Sequence, residues 1–526
     1  MTGKTKDARR LPVDDQREVL AFLSSPASYG PGVSKVERID THAAVVFLAG
    51  DRAYKIKRAV CFPFLDFSTL ERRRWACERE IAINRRTAPK LYLDAAPITR
   101  EAAGLAIGGK GKAIEWAVCM RRFDQAALFD RMAREGRLDV GRMAETADVI
   151  RAFHGAAPRL HGEAAVGGGG KAMRWVIDEN LAEFDERPNL FPPAMVAALR
   201  AGLRESLERV GGLLDERVEA GFVRRCHGDL HLRNICLFEE KPTLFDAIEF
   251  NDRFAAIDVL DDLAFLLMDL DHRGLRSFAN LVFNRYFQAT EDFSGLRALP
   301  LFLSCRAAVR AKVSAIAEAS QGAASAAASL RAEAMAYFEE AAAYLTPKPT
   351  RLIGIGGLSG TGKTSLARAL SPGVGVAPGA LHVRSDVLRK QLFGVAETVP
   401  LPPSAYTPEV SRRVYEEMER RARSALAAGH AVIVDAVFAH AGEREAFEAI
   451  AGELGAAFVG LWLEASPETL IARVGERRAD ASDATPEVVR QQLLYETGPV
   501  RWHRLAAGGP PGEVAKAAAV LLEGSR

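Results

Sequence analysis

The segment "RLIGIGGLSGTGKTSLARAL" (residues 351–370) restricts the possible folds more than any other part of the sequence. It runs from a short apolar stretch through a glycine-rich stretch into a helical one, with Gly357, Gly362, Lys363 and Thr364 in the spacing G-x-x-x-x-G-K-T. Glycines let such a loop turn tightly, so that backbone N–H groups and the following helix N-terminus point at one anion. We therefore predict a strand, a phosphate-binding loop and a helix.

Eight residues of this loop and helix start are candidates for binding a nucleotide. Lys363 would bridge the β- and γ-phosphate oxygens, and Thr364 would be a ligand of Mg²⁺. The others would surround the phosphates with N–H groups and hydroxyls. The candidate set is Gly357, Ser359, Gly360, Thr361, Gly362, Lys363, Thr364 and Ser365.

Short apolar runs alternate with helical stretches from here to the end of the chain. The runs "ALHVRSD", "HAVIVDAVF" and "AAFVGLWLEA" are predicted strands. This alternation is typical of a parallel sheet covered by helices. We expect an α/β P-loop domain with a parallel sheet over residues 350–526.

Two of these strands end in candidate site residues. Asp386 follows the second strand and is a candidate general base, with Arg384 as an anion clamp for the acceptor. Alternatively, Asp386 only caps the next helix. Asp435 ends the third strand and is expected to contact either the magnesium shell or the acceptor.

Arginines concentrate in "LIARVGERRADASDATPE", ahead of a polar segment. In small kinases a lid of this kind closes over the phosphates and brings positive charge to the transition state. Arg473 and Arg477 are the candidate nucleotide-binding residues, with Arg478 beside them. The alternative is that they are exposed helix charges.

The first 345 residues follow a different pattern. Two β-rich runs flank Gly50-Asp51, a helical stretch and two more strands follow, and helices dominate from about residue 124. An alanine-rich helix then ends at "LTPKPTR", where two prolines mark a domain boundary. We expect an α+β bilobal domain over 1–345, with a small lobe at about 35–122 and a helical lobe at about 123–345.

The stretch "CHGDLHLRNICLF" (residues 226–238) carries the chemistry of this domain. Its spacing resembles the H-x-D-L-x-x-x-N catalytic loop of protein kinases, with Gly228 in place of arginine. Asp229 would orient an acceptor hydroxyl and take its proton, and Asn234 would bind Mg²⁺. Alternatively, His227, His231 and Asp229 could be ligands of a different metal, but carboxylate and amide oxygens favour magnesium over zinc.

A second metal ligand is expected on the next strand. Asp246 in "TLFDAIEF" follows an apolar run as the DFG aspartate does, and Glu249 is a weaker extra ligand.

The small lobe should supply a lysine for the phosphates and a glutamate to hold that lysine. Lys55 fits the A-x-K motif, and Lys57, on the same strand face, is the alternative. On the following helix Glu80 is the expected partner, with Glu78 second.

The motifs "HGDLHLRN", "FDAIEF" and "DVLDDLAFL" together resemble the aminoglycoside phosphotransferase and choline kinase branch of the kinase-like fold. The resemblance covers roughly residues 35–345, although no clear glycine-rich loop lies between the first strands. It implies that Asp258 and Asp262 form the conserved acidic segment of that branch, with Asp262 bracing the catalytic loop.

The second half resembles small P-loop kinases related to gluconate kinase, chloramphenicol phosphotransferase and the polynucleotide 5′-kinase domain. The segments "GLSGTGKTS", "RSDVLRKQLFG" and "VIVDAVF" carry this resemblance. The order of the two halves resembles bacterial fusions of an aminoglycoside phosphotransferase-like domain with an AAA-type ATP-binding domain.

Composition narrows the partners and the compartment. Lys+Arg 70 against Asp+Glu 68 gives a net charge of +2, so bulk charge does not favour nucleic acid. The polar N-terminus does not resemble a secretory signal, and no apolar run reaches the roughly 18 residues of a membrane helix. The six cysteines lack CxxC spacing, which favours reduced thiols and a cytoplasmic location.

The sequence therefore predicts a phosphotransferase that uses ATP and Mg²⁺ in two sites and acts on hydroxyls of small molecules. Two alternatives remain open: a regulatory ATP-binding protein with one idle half, and a polynucleotide 5′-kinase in the second half. The sequence gives no oligomeric state.

Overall fold

The computed structural model of the chain describes residues 14–41, 43–62, 65–319, 324–476 and 480–524. Contacts between residues divide the chain into two compact units. The first unit is Met1–Met173 with Leu214–Leu266, and the second is Arg174–Leu213 with Leu267–Arg526. The second unit thus holds the predicted P-loop domain together with helices that precede it, while the domain limits 1–345 and 350–526 stay a prediction.

Eight strands form early in the first unit: β1 (Val36–Asp40), β2 (Ala44–Ala49), β3 (Arg52–Lys57), β4 (Cys61–Phe62), β5 (Leu65–Asp66), β6 (Tyr92–Glu101), β7 (Gly104–Ile107) and β8 (Lys112–Arg121). Six of them make an antiparallel sheet in the order β1-β2-β3-β8-β6-β7. The predicted turn at Gly50, whose φ is 58°, joins β2 to β3. Strand β3 therefore lies inside the sheet, with neighbours on both sides.

The first four helices of the described chain are α1 (Arg17–Ser24), α2 (Leu70–Asn84), α3 (Phe129–Arg134) and α4 (Val140–Ala156). Helix α2 begins at the N-cap Thr69, whose hydroxyl accepts the N–H of Arg72. Cys77 and Ile81 of α2 share a buried apolar cluster with residues of β2, β3, β6 and β8. This packing fixes which charged residues of α2 face the sheet.

The next elements precede and follow the kinase-type loop in the sequence. They are α5 (Gly169–Asp185), α6 (Pro193–Glu219), β9 (Val223–Arg225), β10 (Ile235–Phe238), β11 (Lys241–Leu244), β12 (Ala256–Asp258) and α7 (Val259–His272). Strands β10 and β11 form an antiparallel hairpin, and β9 pairs with β12. The loop between β9 and β10 carries Asp229 and Asn234.

Three helices of the second unit come before its sheet: α8 (Arg276–Thr290), α9 (Leu299–Ala319) and α10 (Ala324–Tyr344). Strands and helices then alternate: β13 (Arg351–Gly356), α11 (Lys363–Leu370), β14 (Leu381–Arg384), α12 (Ser385–Leu392), α13 (Pro408–Ala427), β15 (Val432–Asp435), α14 (Ala441–Glu453), β16 (Ala457–Glu464), α15 (Pro467–Glu476), α16 (Pro486–Gln492), β17 (His503–Ala506) and α17 (Pro511–Gly524).

The five strands β14-β15-β13-β16-β17 form, in that order, a wholly parallel sheet. Helices follow each strand, and apolar residues of β13, β15 and β16 form the core with α11 and α17. The predicted fold class, an α+β kinase-like part followed by an α/β P-loop part, is confirmed. Among the described residues, no helix combines the length and apolarity that crossing a bilayer requires.

Candidate functional site

The side chains predicted to handle phosphate in the first unit contact one another. Nζ of Lys55, on β3, donates to Oε1 of Glu80 on α2 at 3.0 Å and to Oδ1 of Asp246 at 2.5 Å. Glu80 is fully buried, which works to raise its pKa, but the two lysines beside it lower that pKa to about 2. The carboxylate is thus charged and holds Lys55 in place.

Lys57, the alternative lysine, has a different environment. Its Nζ donates to Oε2 of Glu80 at 2.5 Å and also to Glu249. Its side chain is 3% exposed, against 13% for Lys55. Lys55 is therefore the better placed of the two to reach a nucleotide, and Glu249 pairs with Lys57.

Helix α2 is tied directly to the segment that carries Asp246. The side chain of Asn84 donates to the carbonyl of Glu80 at 3.0 Å and accepts the N–H of Ala247 at 2.8 Å. The N–H of Asp246 donates to the hydroxyl of Tyr92 at 3.0 Å. These bonds hold Asp246 at a φ of 62°, a left-handed conformation that costs energy in residues with a side chain.

The two predicted ends of the kinase-type loop are hydrogen-bonded to each other. Nδ2 of Asn234 donates to the carbonyl oxygen of Asp229 at 2.9 Å and to its Oδ2 at 2.8 Å. The N–H of Phe245 donates to the carbonyl of Asn234 at 3.0 Å, at the end of the β10–β11 hairpin. The hairpin therefore brings Asn234 next to the residue that precedes Asp246.

His231 is a residue that the motif did not mark as functional. Its Nδ1 accepts the N–H of Arg233 at 3.2 Å, so its Nε2 carries the proton and faces Oδ1 of Asp229 at 3.3 Å. His227 uses Nδ1 to accept the N–H of Asp229 and donates from Nε2 to the carbonyl of Phe245. Both imidazoles are engaged within the loop, which does not support the alternative of a histidine metal site.

Asp262 braces the loop from α7, as the family resemblance implied. Its carboxylate accepts the N–H groups of His227 at 3.0 Å and Gly228 at 2.8 Å, and Nε2 of His154 at 3.0 Å. Burial works to raise its pKa, but these bonds hold the pKa below the ordinary range. Gly228 has a φ of 83°, and a Cβ there would lie 2.6 Å from the carbonyl oxygen of Phe254, so glycine is needed.

Asp258, the other acidic residue of that segment, has a structural partner. Its two oxygens receive Nε and Nη2 of Arg217 at 2.6 and 2.9 Å, and both side chains are buried. Its Oδ1 also accepts the N–H of Leu260 at the start of α7.

The phosphate-binding loop of the second unit has the predicted strand and helix on either side. Gly357 and Gly360 have φ values of 136° and 89°, and a Cβ at either would lie within 2.7 Å of the carbonyl oxygen of Leu463 or Leu470. Side chains are therefore excluded at both positions. Nζ of Lys363 donates to the carbonyls of Gly357 at 2.8 Å and Leu358 at 3.1 Å.

The two predicted metal ligands of this unit are in direct contact. The hydroxyl of Thr364 donates to Oδ2 of Asp435 at 2.6 Å. Thr364 lies in the first turn of α11, which follows β13, and Asp435 ends the neighbouring strand β15. Asp435 is buried, which works to raise its pKa, but the hydrogen bond and charge of the His382 side chain, with nearby cations, lower it to about 2.

His382 is a second residue that the sequence reasoning missed. It lies two positions before Arg384 on β14, so both side chains share a face of the strand. Its Nε2 lies 3.3 Å from Oδ2 of Asp435, and Nε of Arg384 lies 3.9 Å from the same oxygen. Arg384 also pairs with Asp480. The sequence did carry a sign of this contact: in the predicted strand, His382 and Arg384 alternate with Val383, which places both side chains on one face.

Asp386 is half-buried in the first turn of α12. No side-chain hydrogen bond caps α12, whose N-cap position is Arg384, so the capping alternative is not supported. Its role as general base stays a prediction.

The predicted lid arginines divide into two groups. Arg473 donates to three carbonyls after β17, those of Ala507, Gly508 and Gly509. Arg477 and Arg478 lie outside the described residues.

Three hydroxyl residues of the phosphate loop have distinct surroundings. The N–H of Ser359 donates to Oε1 of Gln492 at 2.8 Å, the hydroxyl of Thr361 donates to the carbonyl of Leu358, and Ser365 is exposed in the first turn of α11. Gln492, on α16, was not predicted because its distance from the loop in the sequence hides the contact.

A family model described as "AAA domain" matches residues 352–498, in agreement with the P-loop resemblance. The chain is 32% identical over 485 residues to the uncharacterized protein Rv2004c of Mycobacterium tuberculosis, covering 90% of this chain and 92% of that protein. One solved structure similar to this chain is a gluconokinase from Sinorhizobium meliloti, with 23% identity and a TM-score of 0.25, covering 34% of this chain and 97% of that chain. Another is a choline/ethanolamine kinase family protein from Mesorhizobium loti, with 16% identity and a TM-score of 0.36, covering 62% of this chain and 98% of that chain.

Proposed function

The chain belongs to the same family as Rv2004c, and we propose that it is a cytoplasmic phosphotransferase that uses ATP and Mg²⁺ at two separate sites. Each site would transfer the γ-phosphoryl group of ATP to a hydroxyl of a small molecule. One site belongs to the predicted domain 1–345 and the other to the predicted domain 350–526.

One observation carries this proposal: in each unit the predicted metal-binding oxygens are held beside other residues of the same predicted site. In the first unit, Lys55 joins Glu80 to Asp246. In the second, Thr364 meets Asp435. Carboxylate, amide and hydroxyl oxygens are the ligands that Mg²⁺ prefers, so the residues present fit that ion.

In the first site, Asp229 would orient the acceptor hydroxyl and take its proton. His231 faces one oxygen of this carboxylate and Asn234 the other, so its orientation is fixed on both sides. Lys55 would hold the phosphates, while Asn234 and Asp246 would bind the metal. A bound Mg²⁺ would supply charge neutralisation on the phosphates, and the chain's own contribution is positioning.

In the second site, Lys363 and the loop N–H groups would hold the phosphates. Thr364 and Asp435 would bind the metal, and Asp386 would take the acceptor's proton. Arg384 lies beside Asp435 and would attract an anionic group of the acceptor.

The test uses the full-length chain with ATP, Mg²⁺ and a pool of small metabolites, with phosphorylated products identified by mass spectrometry. Asp229→Asn should remove one set of products, and Asp386→Asn should remove another. A single variant that loses no products would refute the proposed catalysis by its own site. The proposal is refuted if the double variant makes the same products as the unaltered chain.

A further inference from the structure

Helix α8 covers the open edge of the parallel sheet in the second unit. Strand β14 is an edge strand, so the backbone groups on its outer side have no strand partner. Buried backbone N–H and C=O groups need hydrogen-bond partners from elsewhere. Helix α8 supplies them, although it ends at Thr290 and the P-loop begins only at Gly357.

Three amide side chains of α8, spaced by four residues, bind this edge. Nδ2 of Asn280 and of Asn284 donate to the carbonyl of Ala380 at 3.1 and 3.2 Å. Oδ1 of Asn284 accepts the N–H of His382 at 2.6 Å, and Nε2 of Gln288 donates to the carbonyl of His382 at 3.4 Å. A spacing of four places all three on one helix face, so they run along the strand.

Further contacts surround this docking site. Gly379 has a φ of 118°, and a Cβ there would lie 2.2 Å from the carbonyl oxygen of Ser371 and 2.9 Å from Nδ2 of Asn280. The ring of Phe283 packs 5.0 Å from that of the buried His430. Beyond the end of α8, Glu291 forms an ion pair with the buried Arg421 of α13 at 2.6 Å.

The strand that α8 holds also carries part of the candidate site. The backbone of His382 is bound by Asn284 and Gln288, while its imidazole lies 3.3 Å from Asp435. Asp435 in turn accepts the hydroxyl of Thr364. A movement of α8 would thus reach the predicted metal ligands through one residue.

We propose that α8 belongs functionally to the P-loop site, and that Asn284 is a positioning residue which sets the metal affinity of that site through His382 and Asp435. This proposal rests on the proposed function of the P-loop site. Removal of a residue that bonds a metal ligand directly, as His382 does, commonly changes metal affinity by about 10- to 100-fold, and Asn284 acts one residue further away, so we expect the lower end of that range. Helix α8 and the P-loop sheet would then form one catalytic unit.

The test measures ATP binding to the full-length chain by calorimetry, with Mg²⁺ and with EDTA. Lys363→Ala defines the part of the binding that belongs to the P-loop. Asn284→Leu should weaken the Lys363-dependent binding in Mg²⁺ by about tenfold and leave the binding in EDTA unchanged. Hydrogen exchange should also become faster at the amide of His382.

Asn180→Leu is the matched control, because Asn180 on α5 is also buried and its amide has no hydrogen-bond partner within the described part of the chain. If Asn284→Leu does not fold, Gln288→Leu replaces it and should show the same split at smaller size. The proposal would be overturned if ATP binding by Asn284→Leu, or by Gln288→Leu in its place, depended on Mg²⁺ to the same extent as ATP binding by the unaltered chain. Absence of any Lys363-dependent binding in the unaltered chain would instead refute the proposed function of the site.

Discussion

Replacement of Lys57 by methionine should destabilise the first unit far more than replacement of an ordinary lysine. Lys57 is buried and bonds two buried carboxylates, Glu80 and Glu249. Glu80 keeps Lys55 when Lys57 is lost, but Glu249 loses its hydrogen-bond partner. Removing one partner of a buried ion pair costs about 3–5 kcal/mol, so we expect a loss of that size.

Replacement of Glu249 as well should restore most of the stability that Lys57→Met removes. In the double variant Lys57→Met/Glu249→Met, apolar side chains replace the pair, and such replacements are often close to neutral. The double variant should also keep its affinity for ATP, because Lys55 remains. Lys55→Met should lose that affinity with the fold intact.

The measurement is hydrogen exchange of peptides from β3 and α2 in increasing urea, which reports the free energy of local opening in a chain of several parts. Lys241→Met, at an exposed position of β11, is the control and should change that free energy by less than about 0.5 kcal/mol. The reasoning fails if Lys57→Met behaves like this control, or if the double variant is as unstable as the single one.

Three further predictions concern catalysis, metal and pH. Asp229→Asn should lower the turnover of the first site by about 10²- to 10⁴-fold and leave its KM for ATP nearly unchanged, which steady-state kinetics would check. Thr364→Ala should weaken ATP binding in Mg²⁺ but not in EDTA, and equal weakening in both would contradict its role as a ligand. The pKa of Glu80 is lowered from 4.5 to about 2, so its ion pairs contribute their full stability at pH values above about 4.5. This contribution is lost as the pH falls from about 4.5 toward about 2. Thermal unfolding should show that Glu80→Gln removes this part of the acid sensitivity, whereas Glu78→Gln, at an exposed position of the same helix, keeps it.

Local motifs predicted the parts of both sites that lie within one turn or one strand end. The contact of Asn234 with Asp229 spans five residues, and the loop from Gly357 to Thr364 is a single connection, so spacing alone was informative. Asp435 was predicted because it ends the third apolar strand of this half.

Several contacts that depend on tertiary packing were not predicted. The charged run of α2 looks like a solvent-exposed face, yet Arg73 and Glu80 are buried in it. The kinase-type pattern favoured Glu80 over Glu78 as the partner of the lysine, but it did not predict that Arg73 is buried as well. The docking of α8 on β14 was also missed, since neutral amides carry no recognisable motif.

The two sites also differ in what holds the lysine that would bind phosphate. Lys363 donates to carbonyls of its own loop, so its position follows from a few neighbouring residues. Lys55 is held by carboxylates from a helix and from a distant loop, and these are joined through Asn84. The position of Lys55 should therefore change with substitutions far from it in sequence and with protonation of Glu80. The position of Lys363 should change with neither.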